Sequence, residues 1–172
     1  MGNSNWYVFY VQGRKEQTLC DRLNKKDNLV AFIPKMERIH KSNGVKEIVV
    51  KPMFPGYLFI KSHEDHVFIQ HLYQECRQQI SGIRKQLKFD EVGTSALTSE
   101  EMQFLEGILD EEYIMKMSNG MIYQNILHVQ EGPLMGREKD IKFIDRHKCL
   151  AKLYVEVLGR NVHGGLEVVS KK

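Results

Sequence analysis

Two groups of residues in this chain of 172 amino acids have the types and spacing to bind something. The first is Phe54 and Tyr57, set in Lys51-Pro52-Met53-Phe54-Pro55-Gly56-Tyr57-Leu58-Phe59-Ile60. Pro52 and Pro55 fix their own φ and push Lys51 and Phe54 into extended geometry, while Gly56 permits a bend. A strand is thus entered through a kink, where two aromatic rings can turn outward as a docking site or inward as ordinary core. The second group is Arg137, Lys139, Lys142, Arg146, His147, Lys148 and Lys152. Residues 137–152 hold six Lys+Arg against three Asp+Glu, a surplus equal to the net charge of the whole chain. Lysines neutralise phosphates, and arginines also hydrogen-bond base edges or stack, so the density suits a polyanion. It also suits an ordinary solvated turn. If Lys139 and Lys142 flank one turn and Arg146-His147-Lys148 forms the next, adjoining loops should make one basic rim.

Chemistry of a catalytic kind is not expected. No nucleophile, base and orienting group can be assembled from local spacing. His63, His66 and His71 lie near one candidate helix, but no cysteine or carboxylate spacing completes a metal site. Gly132-Pro133-Leu134-Met135-Gly136 lacks the Lys-Ser/Thr ending of a phosphate loop. Neither an enzyme nor a cofactor is expected.

The totals bound the rest. An apolar content of 42% supports real cores in one large or two small domains. No apolar run approaches the roughly 20 residues of a membrane helix, and the first residues carry no visible secretory signal. Cys20, Cys76 and Cys149 are odd in number and far apart, which favours free thiols in a reducing cytoplasm. Residues 1–127 balance 16 Lys+Arg against 16 Asp+Glu, whereas residues 128–172 hold nine against six. The positive excess therefore lies at the C-terminal end, where a polyanion partner is expected.

The elements that must position these groups follow from periodicity. Asn5–Val11 is a short aromatic and β-branched strand, with Trp6, Val8 and Tyr10 on one face and Tyr7, Phe9 and Val11 on the other. Residues 14–26 form an amphipathic helix around Leu19, Cys20 and Leu23. A strand at 30–34 precedes extended runs at 36–40 and 45–51, joined by the hairpin signal Asn43-Gly44. The 57–60 strand is followed by a helix over 64–76 and a short strand over 82–88. A further helix opens on Thr98-Ser99-Glu100-Glu101, a capping box. This order predicts an α+β domain, an antiparallel sheet with helices, over residues 1–112. Residues 113–122 read as a linker that turns at Asn119-Gly120, with an apolar content that suits packing rather than a free tether. Beyond it the pattern changes to short strands at 126–130, 140–145, 151–157 and 166–169, which predicts a small C-terminal β-barrel over 123–172.

Trp6-Tyr7-Val8, Phe54-Pro55-Gly56-Tyr57-Leu58-Phe59, Gly132-Pro133-Leu134, Ile144-Asp145 and Leu158-Gly159-Arg160 stand in an order and spacing that resembles the NusG family of transcription elongation factors over nearly the whole chain. The resemblance implies an N-terminal domain that binds the clamp helices of bacterial RNA polymerase and a C-terminal SH3-like barrel with a KOW motif. It assigns polymerase binding to Tyr10, Phe54, Tyr57 and Phe59, although strand alternation also fits Tyr10 and Phe59 as core.

The departures from the family pattern are specific. Lys139 stands where the family's KOW motif has glycine, and Leu158 where it has the phenylalanine that helps hold Rho or a small-subunit ribosomal protein. A polymerase-contacting His-Thr-Thr run of the RfaH relatives aligns near Phe68-Ile69-Gln70 and is not preserved. With the basic residues above, these changes resemble a specialised antitermination paralogue of the LoaP kind more than the RfaH kind. That implies an RNA hairpin in the leader transcript as ligand, with non-template DNA as a further partner, and a monomer. The strand-favouring Tyr154-Val155-Glu156-Val157 and Glu167-Val168-Val169 imply a stable barrel. A general NusG-type factor coupling to the ribosome or Rho, and a KOW-bearing ribosomal or RNA-binding protein without polymerase attachment, are the alternatives.

Overall fold

The computed structural model describes residues 4–11, 14–79, 83–87 and 97–170. By its internal contacts the chain divides into two compact units. The first holds residues up to Pro34 and Phe54–Met102, the second Lys35–Met53 and Gln103–Lys172.

The first unit is a four-stranded antiparallel sheet with two helices on one face. Its strands are β1 (Asn5–Val11), β2 (Leu29–Phe32), β5 (Tyr57–Ser62) and β6 (Ile83–Leu87), in the order β2-β5-β1-β6. α1 (Glu16–Leu23) and α2 (His66–Gln79) are shorter or shifted relative to the expected 14–26 and 64–76. α1 ends at Leu23, the last residue of its apolar stripe, whereas α2 runs three residues past Cys76. Leu19, Cys20 and Leu23 of α1 and Ile69, Leu72 and Cys76 of α2 join Tyr7, Phe9, Val11, Leu58 and Ile60 in one buried cluster. Asn24 ties α1 to β2: its side chain donates to the Ala31 carbonyl at 2.8 Å and accepts from the Ala31 N–H at 2.7 Å. The capping box is formed as written, with the Glu101 N–H on Thr98 Oγ1 at 3.1 Å and the Thr98 N–H on Glu101 Oε2 at 2.8 Å. It opens α3 (Ser99–Ile108).

The second unit begins with a hairpin, β3 (Lys35–Ser42) and β4 (Val45–Pro52). Its turn has positive φ at both Asn43 (50°) and Gly44 (77°), as the sequence signal requires. β3 also pairs in parallel with β7 (Ile114–Met115). A five-stranded sheet follows, ordered β10-β11-β12-β8-β9, from β8 (Ser118–Tyr123), β9 (Ile126–Glu131), β10 (Ile141–Asp145), β11 (Leu150–Val157) and β12 (Arg160–Ser170). β12 is shared by two neighbours: residues 160–165 pair with β11 and residues 166–170 with β8. Leu134, Ala151, Leu153, Val157, Val162 and Leu166 are buried beneath it.

Residues 113–122 are not a free linker. They carry β7 and most of β8, because Met115 and Ser118 are fully buried and Met121 finds a strand partner in His128. The turn expected at Asn119-Gly120 lies instead at Gln124-Asn125, both with positive φ (48° and 62°). Gly120 sits inside β8, where a Cβ would come within 2.8 Å of the His128 carbonyl, so this glycine serves close strand approach. Leu158 and Gly159 supply the positive φ values (54° and 70°) of the two-residue turn joining β11 to β12.

Candidate aromatic and nucleic-acid interfaces

The sheet face opposite the two helices of the first unit is aromatic, and its Trp6, Val8, Phe32 and Phe59 are buried. Cross-strand register places Trp6 beside Lys61, Val8 beside Phe59 and Tyr10 beside Tyr57 across β1 and β5, with Phe32 beside Phe59 across β2 and β5. Edge-on and tilted contacts join the rings: Trp6 to Phe32 at 5.3 Å, Phe32 to Phe59 at 5.7 Å and Phe54 to Phe59 at 5.8 Å between centroids. Lys61 Nζ lies 4.3 Å from the Trp6 centroid and 5.4 Å from that of Phe32, a cation held against aromatic faces.

The bend that delivers Phe54 and Tyr57 is a turn whose geometry follows from its residues. The Tyr57 N–H donates to the Phe54 carbonyl at 3.1 Å, Pro55 occupies the first central position, and Gly56 takes φ +88° at the second. Glu16 Oε1 accepts the Gly56 N–H at 2.8 Å, and the Gly56 carbonyl accepts from the Val11 N–H at 2.7 Å, which ties the turn to α1 and β1.

The turn does not present both rings outward. Phe54 is 3% exposed and folds back on Phe59, which is itself fully buried. Tyr57 and Tyr10 are half-buried, with centroids 5.2 Å apart. Of the four residues assigned to polymerase contact, Tyr10 and Tyr57 therefore form the reachable pair, and Phe54 and Phe59 lie beneath. Alternation flagged the face through Trp6, Val8 and Tyr10. Phe32 and Lys61 were missed because nothing local marks a residue two strands away as a neighbour.

The basic residues of the second unit are not one rim. Arg137 and Lys139 precede β10, whereas Arg146, His147 and Lys148 follow it, so the strand separates them by its own length. Arg137 is engaged, its guanidinium 5.2 Å from the Phe104 ring centroid and 3.9 Å from Asp140. The short 3-10 turn Glu138–Asp140 around Lys139 is pinned by the Val129 N–H on Glu138 Oε1 at 3.0 Å. Hydrogen bonds from backbone N–H groups hold the Glu138 carboxyl below its ordinary range.

At the other end of β10, Arg146, His147 and Lys148 are exposed. Asp145 accepts the Lys148 N–H at 2.9 Å, and that bond keeps its carboxyl below the usual range. Arg146 donates to Ser170 Oγ at 2.7 Å. The β3–β4 hairpin adds cations that sequence order concealed: Lys41 Nζ donates to the His147 carbonyl at 2.7 Å, and Lys46 pairs with Glu167 at 2.8 Å. Lys142 reaches over the Tyr154 ring at 5.7 Å, and Lys152 stands opposite His163 in the β11–β12 register. Burial, then the charges of Lys152 and Arg38, push the His163 imidazole below its ordinary pKa.

Among the described residues, no group of three or more His, Cys, Asp or Glu is placed to hold a metal ion, and no helix is long and apolar enough to cross a membrane. Residues 4–106, more than half of the chain, match the family model described as "Transcription termination factor nusG". No curated protein matches the chain.

Proposed function

The chain belongs to the NusG family, and from that premise we propose that it is a non-catalytic transcription elongation factor that rides on RNA polymerase and suppresses termination. The aromatic face of the first unit is the docking surface for the clamp helices. The single observation that carries this is the half-buried Tyr10–Tyr57 pair, backed by the Phe54 and Phe59 rings, on the sheet face opposite α1 and α2. Aromatic side chains suit such a surface because they bury large area at small entropic cost.

The second unit, read as a KOW barrel, binds a hairpin in the nascent leader transcript. Lys142, Arg146, His147, Lys148 and Lys152 support that reading, together with the hairpin cations Lys41 and Lys46 on the same unit. Lys139 in place of glycine and Leu158 in place of phenylalanine favour a specialised antitermination paralogue of the LoaP kind over a Rho- or ribosome-coupled factor. Transcription by purified polymerase through an intrinsic terminator tests the proposal. Read-through should rise when the protein and a hairpin-bearing leader are both present. Read-through unaffected by the protein on every leader would contradict it.

A further inference from the structure

The solvent face of the C-terminal sheet carries a feature that neither the sequence pattern nor the basic turn accounts for. Along β11, Ala151 and Leu153 point inward and are fully buried, so Leu150, Lys152 and Tyr154 point outward. Phe143 of β10 and His163 of β12 both stand opposite Lys152, so the three form one row across three strands on this outer face. Phe143 is 61% exposed and Tyr154 63% exposed, unusual for rings of this size. Tyr154 follows Lys152 by two residues along β11 and so shares this outer face.

A bulge in the β10–β11 register sets this up. Ile141 pairs with Leu153 but Phe143 with Lys152, which leaves Lys142 as the extra residue, its Nζ over the Tyr154 ring. The row ends at the β3–β4 hairpin. The Glu37 carbonyl lies 2.7 Å from where a Cβ on Gly165 would sit, and the charge of the neighbouring Arg38 is felt at His163. Of the carboxylates around it, Glu37 takes the Met117 N–H and Lys116, and Asp145 takes Lys148, while Glu156 stands exposed on the same face two residues after Tyr154.

Two exposed rings interleaved with Lys142 and Lys152 match the chemistry of an unpaired polynucleotide, whose bases stack and whose phosphates need cations. A duplex hides its base faces and cannot use the rings. We propose that Phe143 and Tyr154 are a stacking platform for unpaired nucleotides, with Lys142 and Lys152 neutralising the flanking phosphates. The proposal rests on the nucleic-acid reading of the second unit and adds to it the part of the ligand that is gripped: the single-stranded loop or flank rather than the paired stem.

Fluorescence anisotropy on the full chain tests this, with labelled oligouridylate, oligothymidylate and a blunt RNA duplex of equal length as probes. The wild type should bind the single strands more tightly than the duplex. Phe143→Ala and Tyr154→Ala should each lower single-strand affinity about tenfold while leaving the salt slope unchanged. Phe143→Tyr and Tyr154→Phe should retain binding, and Lys152→Gln should flatten the salt slope by about one unit or less. Equal binding of the two single strands, or a preference for oligouridylate, both fit a stacking platform. If the two Ala variants bind single strands as the wild type does, the platform is overturned while the phosphate contacts stand. If the wild type binds no probe at all, the nucleic-acid reading itself falls.

Discussion

Tyr10 and Tyr57 face each other across β1 and β5 with ring centroids 5.2 Å apart, while Phe54, three residues before Tyr57, packs on buried Phe59 of the same sheet face. One turn thus buries its first aromatic ring against the sheet face and leaves its second half-buried. The arrangement separates two jobs that the sequence lumps together. Phe54 anchors the turn, and the tyrosine pair is available to a partner.

Gly56 controls that separation. Its φ of +88° disfavours any side chain, and an added Cβ would lie 2.9 Å from Tyr10 Cε2. Gly56→Ala should cost about 1–2 kcal/mol of stability from the backbone conformation alone, measured as a lower urea midpoint. It should also displace the Tyr10 ring, visible as shifted Tyr10 aromatic resonances. An unchanged midpoint would mean that the turn adopts another conformation.

Phe54→Ala and Tyr57→Ala should differ in kind. The first opens a cavity beneath Phe59 and should cost about 3–5 kcal/mol. The second removes a half-buried ring and should cost about 1 kcal/mol. Chemical denaturation of the two variants checks the order, and a larger loss for Tyr57→Ala would reverse the assignment of anchor and contact.

His163 should make the protein less stable in mild acid. Burial and the charges of Lys152 and Arg38 set its folded pKa below the ordinary value of about 6.5. Below that value the unfolded chain binds the proton more readily than the folded chain, so stability falls as pH drops from about 6.5 towards the folded pKa. Above the ordinary value the histidine is neutral in both states and contributes no slope. His163→Gln should remove this component, so the gap between denaturation midpoints at pH 7.5 and 5.5 should be smaller than in the wild type. An identical gap would show that His163 is not the group responsible.

Local patterns carried far into this fold, and their limits are physical. The Asn43-Gly44 turn, the Thr98–Glu101 box and the two faces of β1 were legible because each is set by residues within a few positions. The strands at Ile114–Met115 and Ser118–Tyr123 were not, since they pair in parallel with β3 and β12, distant in sequence, and a parallel pairing leaves no trace in adjacent residues. The basic residues were found by density along the chain. Their division between the two ends of β10, and the company of Arg38, Lys41 and Lys46 from a distant hairpin, depend on the sheet. Phe143 and Tyr154 fell within expected strands, but composition cannot tell which face a bulge at Lys142 will turn outward.

Attachment to RNA polymerase through the aromatic face is the claim on which the functional account depends. The direct measurement is a titration of core RNA polymerase against the labelled full-length chain, with the Tyr10→Ala/Tyr57→Ala double variant, confirmed folded by its denaturation midpoint, alongside. The account predicts saturable binding by the wild type and a loss of about 2 kcal/mol, roughly 30-fold in Kd, for the double variant. A folded double variant that binds polymerase as tightly as the wild type would contradict it.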